Sequence, residues 1–120
     1  MDRLNGEMET YGRSMGLEGL RFDPNGVLCL DFESLGTFFL ERGEREVLAY
    51  LAREIRDAGA KGLQQAMALC HFRHAPAFPT YPGFLGEGRL VFLVRIPEPD
   101  VTLPVLERVL DHLSGLHERM

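Results

Sequence analysis

Within the segment 22–33 (FDPNGVLCLDFE), the side chains alternate strictly between two faces from Leu28 onward. Leu28, Leu30 and Phe32 fall on one side of an extended chain, while a cysteine and two acidic residues fall on the other. A period of two is typical of a strand that buries one face and exposes the other to water. Residues 23–26 (DPNG) suit a tight turn, because proline presets φ and Asn-Gly tolerates a positive φ. The segment therefore predicts a sheet strand that is entered through a turn.

Residues 2–15 show a helical period instead. Their apolar residues recur at intervals of four, three and four, which places them on one stripe of a helix. Asp2 can cap the start of this helix and Gly16 its end. The stripe consists of Leu4, Met8, Tyr11 and Met15.

The next two segments extend the sheet, but the second of them is ambiguous. Residues 37–41 follow a short connection and predict a second strand. Residues 45–55 (REVLAYLAREI) fit a strand, with every second residue from Val47 to Leu51 on one face. They also fit a helix, whose apolar side consists of Val47, Leu48, Leu51 and Ile55. Periodicity slightly favours the helix, whereas a three-residue link after a strand favours a hairpin and so a third strand.

A second helix is predicted over residues 57–74, where apolar residues are spread around most of the circumference. Such a helix needs burial on two sides, against its own sheet and against another surface. A second copy of the chain is one candidate for that surface. The loop 75–83 holds three of the seven prolines and predicts irregular structure.

The last third of the chain predicts a hairpin and a third helix. Residues 81–85 and 88–96 form the two strands, and the second strand is apolar on both faces, which predicts burial on both. Thr102 can cap the final helix, and Pro104 occupies its permitted first turn. The apolar stripe of this helix consists of Leu106, Leu110, Leu113, Leu116 and Met120.

These elements predict an α+β fold in the order α-β-β-β-α-β-β-α. The expected architecture is a twisted antiparallel sheet of about five strands with three helices. The chain has 120 residues, enough for one core but few for two, so residues 1–120 are expected to form a single domain.

Composition narrows the classes of function. Hydrophobic residues make up 45% of the chain and charged residues 26%, as in ordinary globular proteins. The net charge of −5 argues against a nucleic-acid partner, since phosphate binding needs a basic surface. No apolar run approaches the roughly 20 residues that cross a bilayer, and the first residues lack the layout of a signal peptide. Cys29 and Cys70 fit no metal spacing, so a reducing cytoplasm is expected.

Candidate catalytic or metal-binding residues are few. Cys70, His71 and His74 lie close together in the sequence, but a metal site there needs a further ligand, and no CxxC or HExxH motif accompanies them. The acidic residues of the first two strands are typical of a solvent-facing strand surface rather than of an acid–base pair. We therefore expect no catalytic residues, no metal and no cofactor.

Four stretches together resemble the class I type III secretion chaperones, the Tir-chaperone-like family. Residues 16–23 (GLEGLRFD) resemble the passage from the first helix to the first strand, and residues 26–32 (GVLCLDF) resemble that strand. Residues 88–93 (GRLVFL) are similar to the late strand, and residues 103–110 (LPVLERVL) to the opening of the last helix. The resemblance covers essentially the whole chain, and it favours a strand at 45–55. The proline-rich loop 75–83 departs from the family pattern.

The resemblance implies a bacterial cytoplasmic homodimer that binds the N-terminal segment of a secreted effector in extended form. Such a segment can add a strand to a sheet edge and place alternate apolar side chains in pockets. The expected effector-binding residues are Leu4, Met8, Tyr11, Met15, Phe22, Leu28, Leu30, Phe32, Phe38 and Leu40. The expected dimer contacts are Leu63, Met67, Cys70, Leu90, Phe92 and Val94. Alternatives are a regulatory partner of a secretion-control protein with the same fold, and a small enzyme or metal-binding domain that uses Cys70, His71 and His74.

Overall fold

The computed structural model describes residues 2–55, 59–71, 77–86 and 88–120. In chain order, the elements are α1 (Arg3–Ser14), β1 (Val27–Phe32), β2 (Gly36–Arg42), β3 (Glu46–Glu54), α2 (Ala60–Cys70), β4 (Thr80–Phe84), β5 (Arg89–Pro97), a short 3₁₀ turn (Glu98–Asp100) and α3 (Leu103–Glu118). This order confirms the predicted α+β arrangement of three helices and five strands. No helix within the described part of the chain combines the length and apolar character needed to cross a membrane.

The five strands form one antiparallel sheet in the order β1-β2-β3-β5-β4. The ambiguous segment is the central strand of this sheet: β3 pairs with β2 on one side and with β5 on the other. The hairpin interpretation of that segment is therefore confirmed, and the helical one is wrong. β1 and β4 are the two edge strands.

The helices cover one face of the sheet. Most residues of β1, β2, β3 and β5 that point to that face are buried, and they form one cluster with residues of all three helices. On the opposite face, Cys29, Asp31 and Tyr81 are exposed. The prediction that β5 is buried on both faces is wrong, because Val91 and Leu93 point to this second face and are only half-buried.

Glycines make two of the predicted turns possible. Gly16 has φ +81 and ends α1, where the Leu17 N–H donates to the Gly12 carbonyl at 2.8 Å. Gly26 has φ +79, and its N–H donates to the Asp23 carbonyl at 2.9 Å in the turn before β1. Both capping and turn positions agree with the sequence prediction.

Gly36, at the start of β2, lies very close to the backbone of β3. Its φ is +111, and a Cβ built on it would lie 2.3 Å from the Ala52 carbonyl oxygen of β3. Arg53, the next residue of β3, donates to the Leu35 carbonyl, and its Nη1 lies 2.9 Å from a carboxylate oxygen of Glu118. The first hairpin, the central strand and the end of α3 are thus joined at this corner.

Two histidines of α3 join the helix to the sheet. The His117 ring is 5% exposed, its Nε2 lies 2.7 Å from the Leu51 carbonyl, and it packs edge-on against Phe92. His112 Nε2 lies 2.8 Å from Thr80 Oγ1, and that hydroxyl donates to the Phe78 carbonyl. Since a carbonyl only accepts, and the single hydroxyl proton of Thr80 is already used, both rings must carry their proton on Nε2. Burial lowers the pKa of both imidazoles, which favours the neutral forms.

Candidate functional site

Helix α1 is fixed to the rest of the chain at its first turn. Asp2 accepts from the Leu4 N–H at 3.0 Å and forms an ion pair with Arg42 of β2. The Asn5 side-chain oxygen accepts from the Phe22 N–H at 3.0 Å. These contacts hold the start of α1 against β2 and the segment before β1, and the stripe residues Leu4, Met8 and Tyr11 belong to the common core.

Most of the predicted effector-binding residues belong to the core of the chain itself. Eight of them have 0–9% of their surface exposed: Leu4, Met8, Tyr11, Phe22, Leu28, Leu30, Phe38 and Leu40. A bound polypeptide reaches these side chains only if the core opens. The half-buried residues Met15 and Phe32 are the accessible members of the predicted set.

Other apolar side chains are accessible near the end of α1 and in the turn after β1. Leu17 is 42% exposed, and Leu20 and Leu35 are half-buried against the core. Together with Met15 and Phe32 they form what we call the α1/β1 rim. Leu17, Leu20 and Leu35 were not singled out from the sequence, because they lie in irregular segments where no periodicity marks a face.

The main chain of β1 is available for strand pairing. The Arg42 N–H donates to the Gly26 carbonyl at 2.8 Å, so Gly26 and every second residue after it direct their backbone groups toward β2. The backbone N–H and C=O groups of Cys29 and Asp31 therefore point away from the sheet. β1 contains no proline, and it presents an unblocked edge at these positions.

The other edge strand, β4, is blocked at its centre. The Leu85 N–H donates to the Arg89 carbonyl of the same hairpin at 2.9 Å, which fixes the alternation of inward and outward groups. Thr80, Pro82 and Phe84 are consequently the residues whose nitrogens point outward. Pro82 has no N–H, so this edge lacks its middle donor. A proline inside the predicted strand is the sequence signal for such an edge. Whether the proline nitrogen points outward or toward the neighbouring strand depends on the register.

A second apolar surface surrounds β4 and α2, which pack against each other. Met67 is 57% exposed, Tyr81 52% and Phe84 38%, and Leu63 and Cys70 are half-buried. Of the predicted dimer contacts, Met67, Leu63 and Cys70 thus lie on or near this surface. Leu90, Phe92 and Val94 do not, because the register with β3 turns them into the core, where they are 0–1% exposed.

Among the described residues, those weighed for catalysis or metal binding do not form a centre. Burial raises the pKa of the Cys70 thiol to about 11, which disfavours the thiolate needed by a nucleophile or metal ligand. Within the described ranges, no three His, Cys, Asp or Glu side chains are grouped as metal ligands would be. His74 lies outside the described residues. Asp31 and Glu41 accept hydrogen bonds from Thr37 and Tyr50, as ordinary strand side chains do.

Comparison with known proteins identifies the family. The family model for the type III secretory system chaperone SycN matches residues 4–120. The chaperone protein SycN of Yersinia enterocolitica is 30% identical over 99 residues, which cover 78% of this chain and 77% of that protein. The SycN protein of Yersinia pseudotuberculosis serotype I matches with the same identity and coverage.

Two solved structures have a similar fold. A chain of the ExsC–ExsE complex superposes with a TM-score of 0.77 at 22% identity, covering 94% of this chain and 89% of that one. A chain of the HopA1–SchA chaperone–effector complex gives 0.71 at 19% identity, covering 98% and 93%. At these identities the structures establish the shared fold. With the family model matching nearly the whole sequence, the chain belongs to the SycN family of type III secretory system chaperones.

Proposed function

We propose that this chaperone binds the N-terminal segment of a type III secreted protein in extended form, at the edge of β1 and the α1/β1 rim. The open backbone edge of β1 is the observation that carries the proposal. Main-chain bonds to Cys29 and Asp31 fix the segment as a sixth strand, whatever its sequence. Apolar side chains of the segment then pack on Met15, Phe32 and their neighbours in the rim.

Burial of client side chains supplies the affinity. Each fully buried apolar side chain contributes about 1.5–3 kcal/mol, and ordering a flexible segment costs about 2–5 kcal/mol or more. A few contacts on the rim therefore suffice to hold an unfolded segment without folding it. Binding in this form keeps the client soluble and ready for export, and we place the activity in the bacterial cytoplasm, where such clients are made.

Replacing Asp31 with proline is expected to weaken client binding about tenfold, equivalent to about 1.4 kcal/mol. The change removes an outward N–H of β1 without removing a bond to β2, because Asp31 does not face that strand. The matched control is Asp31→Ala, which loses the same carboxylate and the same bond from Thr37 but keeps the N–H. The measurement is the affinity for the N-terminal part of the secreted protein encoded beside the chaperone gene, purified as a co-expressed complex and titrated.

An equal loss in the two Asp31 variants would show that the edge of β1 is not used for main-chain pairing. Failure of the wild-type chain to form any complex with that protein would contradict chaperone function for it. Limited proteolysis of the complex gives a further check, since a protected N-terminal fragment is expected from extended binding.

We also propose that the chain is a homodimer joined through the β4/α2 surface. Met67 of α2 and Tyr81 and Phe84 of β4 are large apolar side chains that are exposed on two elements packed against each other, and exposed apolar surface on a small protein indicates an interaction site. Because Pro82 interrupts the β4 edge, we expect the subunits to pack through side chains rather than through a continuous sheet. The side of β5 available for this contact is that of Val91 and Leu93.

Replacing Met67 with glutamate is expected to convert the dimer to monomers at micromolar concentration. The side chain is 57% exposed in one subunit, so the change leaves the core intact and acts only where a second subunit covers it. Light scattering coupled to size exclusion measures the mass, and circular dichroism checks the fold. Glu107→Gln, an exposed change on α3, serves as a control. A wild-type mass equal to one chain would contradict the dimer.

A further inference from the structure

Two adjoining cavities flank Pro99 in the 3₁₀ turn before α3. One has a volume of about 390 Å³ and includes Arg3 and Arg45 in its lining. The other has a volume of about 630 Å³ and includes Arg95 and Arg108. Pro99 lines both, so the two cavities are neighbours at the end of the sheet where β3 begins and β5 ends. We call the depression made up of these two cavities the Pro99 groove.

The groove has apolar walls that are large enough for side chains of a polypeptide. Phe78, Pro79, Pro97 and Val105 line the larger cavity together with Pro99. Proline and aromatic surfaces of this kind accept extended chains, since their rigid shape needs little ordering on binding.

Main-chain contacts hold the groove in a fixed shape. The Glu98 N–H donates to the Arg45 carbonyl at 3.0 Å, which ties the 3₁₀ turn to the link between β2 and β3. On the other side, Arg3 Nη1 donates to the Val101 carbonyl at 3.1 Å and the same guanidinium donates to the Glu98 carbonyl. Val101 itself is 0% exposed. The depression is thus preformed rather than assembled by a ligand.

Charged side chains accompany the apolar walls of the groove. Four arginines and two carboxylates, Glu98 and Asp100, line the two cavities. Arg3 is paired with Glu7 and Arg95 with Glu46 of β3. Arg45 and Arg108 are exposed and have no ion-pair partner in the part of the chain that the structure describes. Two guanidinium groups are therefore free to bind anionic groups.

We propose that the Pro99 groove binds an extended polypeptide segment in which acidic residues flank apolar ones, as a second contact for the client. This inference rests on the proposed chaperone function, and it adds the chemistry that the client must carry. Carboxylates of the segment pair with Arg45 and Arg108, while its apolar side chains enter the cavities beside Pro99. A concave site with rigid apolar walls suits such a chain better than the flat surface of a lipid bilayer. The acidic character of the remaining surface opposes a nucleic acid.

The test uses a fluorescein-labelled peptide of about ten residues, which spans about 33 Å when extended. Leucine and proline alternate in it with aspartate and glutamate, and a matched peptide carries asparagine and glutamine instead. Fluorescence anisotropy measures both affinities at about 50 mM and about 300 mM salt. The acidic peptide is expected to bind at least threefold more tightly at low salt, and the difference should shrink at high salt.

The decisive variant is the double replacement Arg45→Gln with Arg108→Gln, which should abolish the preference for the acidic peptide. Its matched control is Arg13→Gln with Arg21→Gln, two exposed arginines outside the groove whose replacement changes the net charge equally. The control is expected to retain the preference to within twofold. Equal behaviour of the two double variants, or no preference in the wild-type chain, would overturn the proposal.

Two further measurements separate this proposal from its alternatives. Asp31→Pro should leave peptide binding unchanged, because the edge of β1 lies away from the groove. Loss of client binding in that variant with intact peptide binding distinguishes the two sites. If vesicles of phosphatidylglycerol or a single-stranded oligonucleotide bind through Arg45 and Arg108 while the acidic peptide does not, the groove serves another partner and the proposal is wrong.

Discussion

Replacing Gly36 with alanine is expected to lower the free energy of unfolding by about 3 kcal/mol, a large share of the stability of a small domain. Two costs combine. A φ of +111 strains a residue that carries a Cβ, and the new methyl group would lie 2.3 Å from the carbonyl oxygen of Ala52. That oxygen belongs to the backbone of the central strand, so it cannot move without disturbing the pairing of β2 with β3. Urea unfolding followed by circular dichroism measures the change.

Gly19→Ala separates the two costs in that prediction. Gly19 has φ +72, and a Cβ on it would meet nothing within 4 Å. Only the backbone strain applies there, so a loss of about 1 kcal/mol is expected. Equal losses in the two variants would show that the contact between Gly36 and β3 is not as close as the geometry indicates.

Acidification below about pH 6.5 is expected to destabilise the fold through His112 and His117. Burial lowers the pKa of both rings below the ordinary value of 6.5, so the unfolded chain binds more protons than the folded one as the pH falls. The histidine contribution to stability is complete above about pH 6.5 and is lost as the pH drops through the folded pKa values. Each unit of separation between folded and unfolded pKa amounts to about 1.4 kcal/mol. Urea unfolding at about pH 7.5 and about pH 5 measures the effect.

The double variant His112→Gln with His117→Gln should flatten this dependence. The glutamine amide can donate to the Thr80 hydroxyl and to the Leu51 carbonyl without taking up a proton. The carboxyls of Asp2 and Glu46 titrate at lower pH still, because hydrogen bonds from Arg42 and Arg95 hold their pKa below the ordinary range. If the free energy of unfolding fell by the same amount between about pH 7.5 and about pH 5 in wild type and variant, the assignment to these two rings would be contradicted.

Local patterns predict most of the element order, and strict alternation marks β1. At β3 the local patterns leave strand and helix open, because periodicity slightly favours a helix and the three-residue link favours a hairpin; the family resemblance favours the strand. The pairing of β3 with both β2 and β5 explains why periodicity failed there. A central strand has neighbours on both sides, so side chains such as Leu48 can be apolar on the less covered face as well.

Which side chains of a strand point toward the helices depends on the register of strand pairing, and local sequence patterns do not reveal that register. β5 is apolar on both sides, so the residues turned toward the helices could not be distinguished from those turned away. The pairing of Leu51 with Phe92 determines which side of β5 faces the helices, and this register places Leu90 and Val94 in the core. The contacts on β5 that the resemblance implies, Leu90, Phe92 and Val94, therefore lie on the covered side of the strand.

The predicted effector-binding residues show a related limit. An apolar stripe indicates that a helix packs against something, but not whether the partner belongs to the same chain. Here the contacts of Asp2 and Asn5 hold the first turn of α1 against the same chain. Of the α1 stripe, Met15 is half-buried and the other three residues are buried. His117 was missed because a histidine beside an apolar stripe gives no signal that it reaches a strand carbonyl.

The single proline in β4 also limits how copies of this chaperone can accumulate. A fibre can grow by strand pairing only if each molecule offers two sheet edges, one for the copy before it and one for the copy after it. Because Pro82 interrupts the β4 edge, two copies that paired through their β1 strands would offer no uninterrupted edge to a third. The proline in β4 thus opposes polymerisation while the β1 edge stays open for the client.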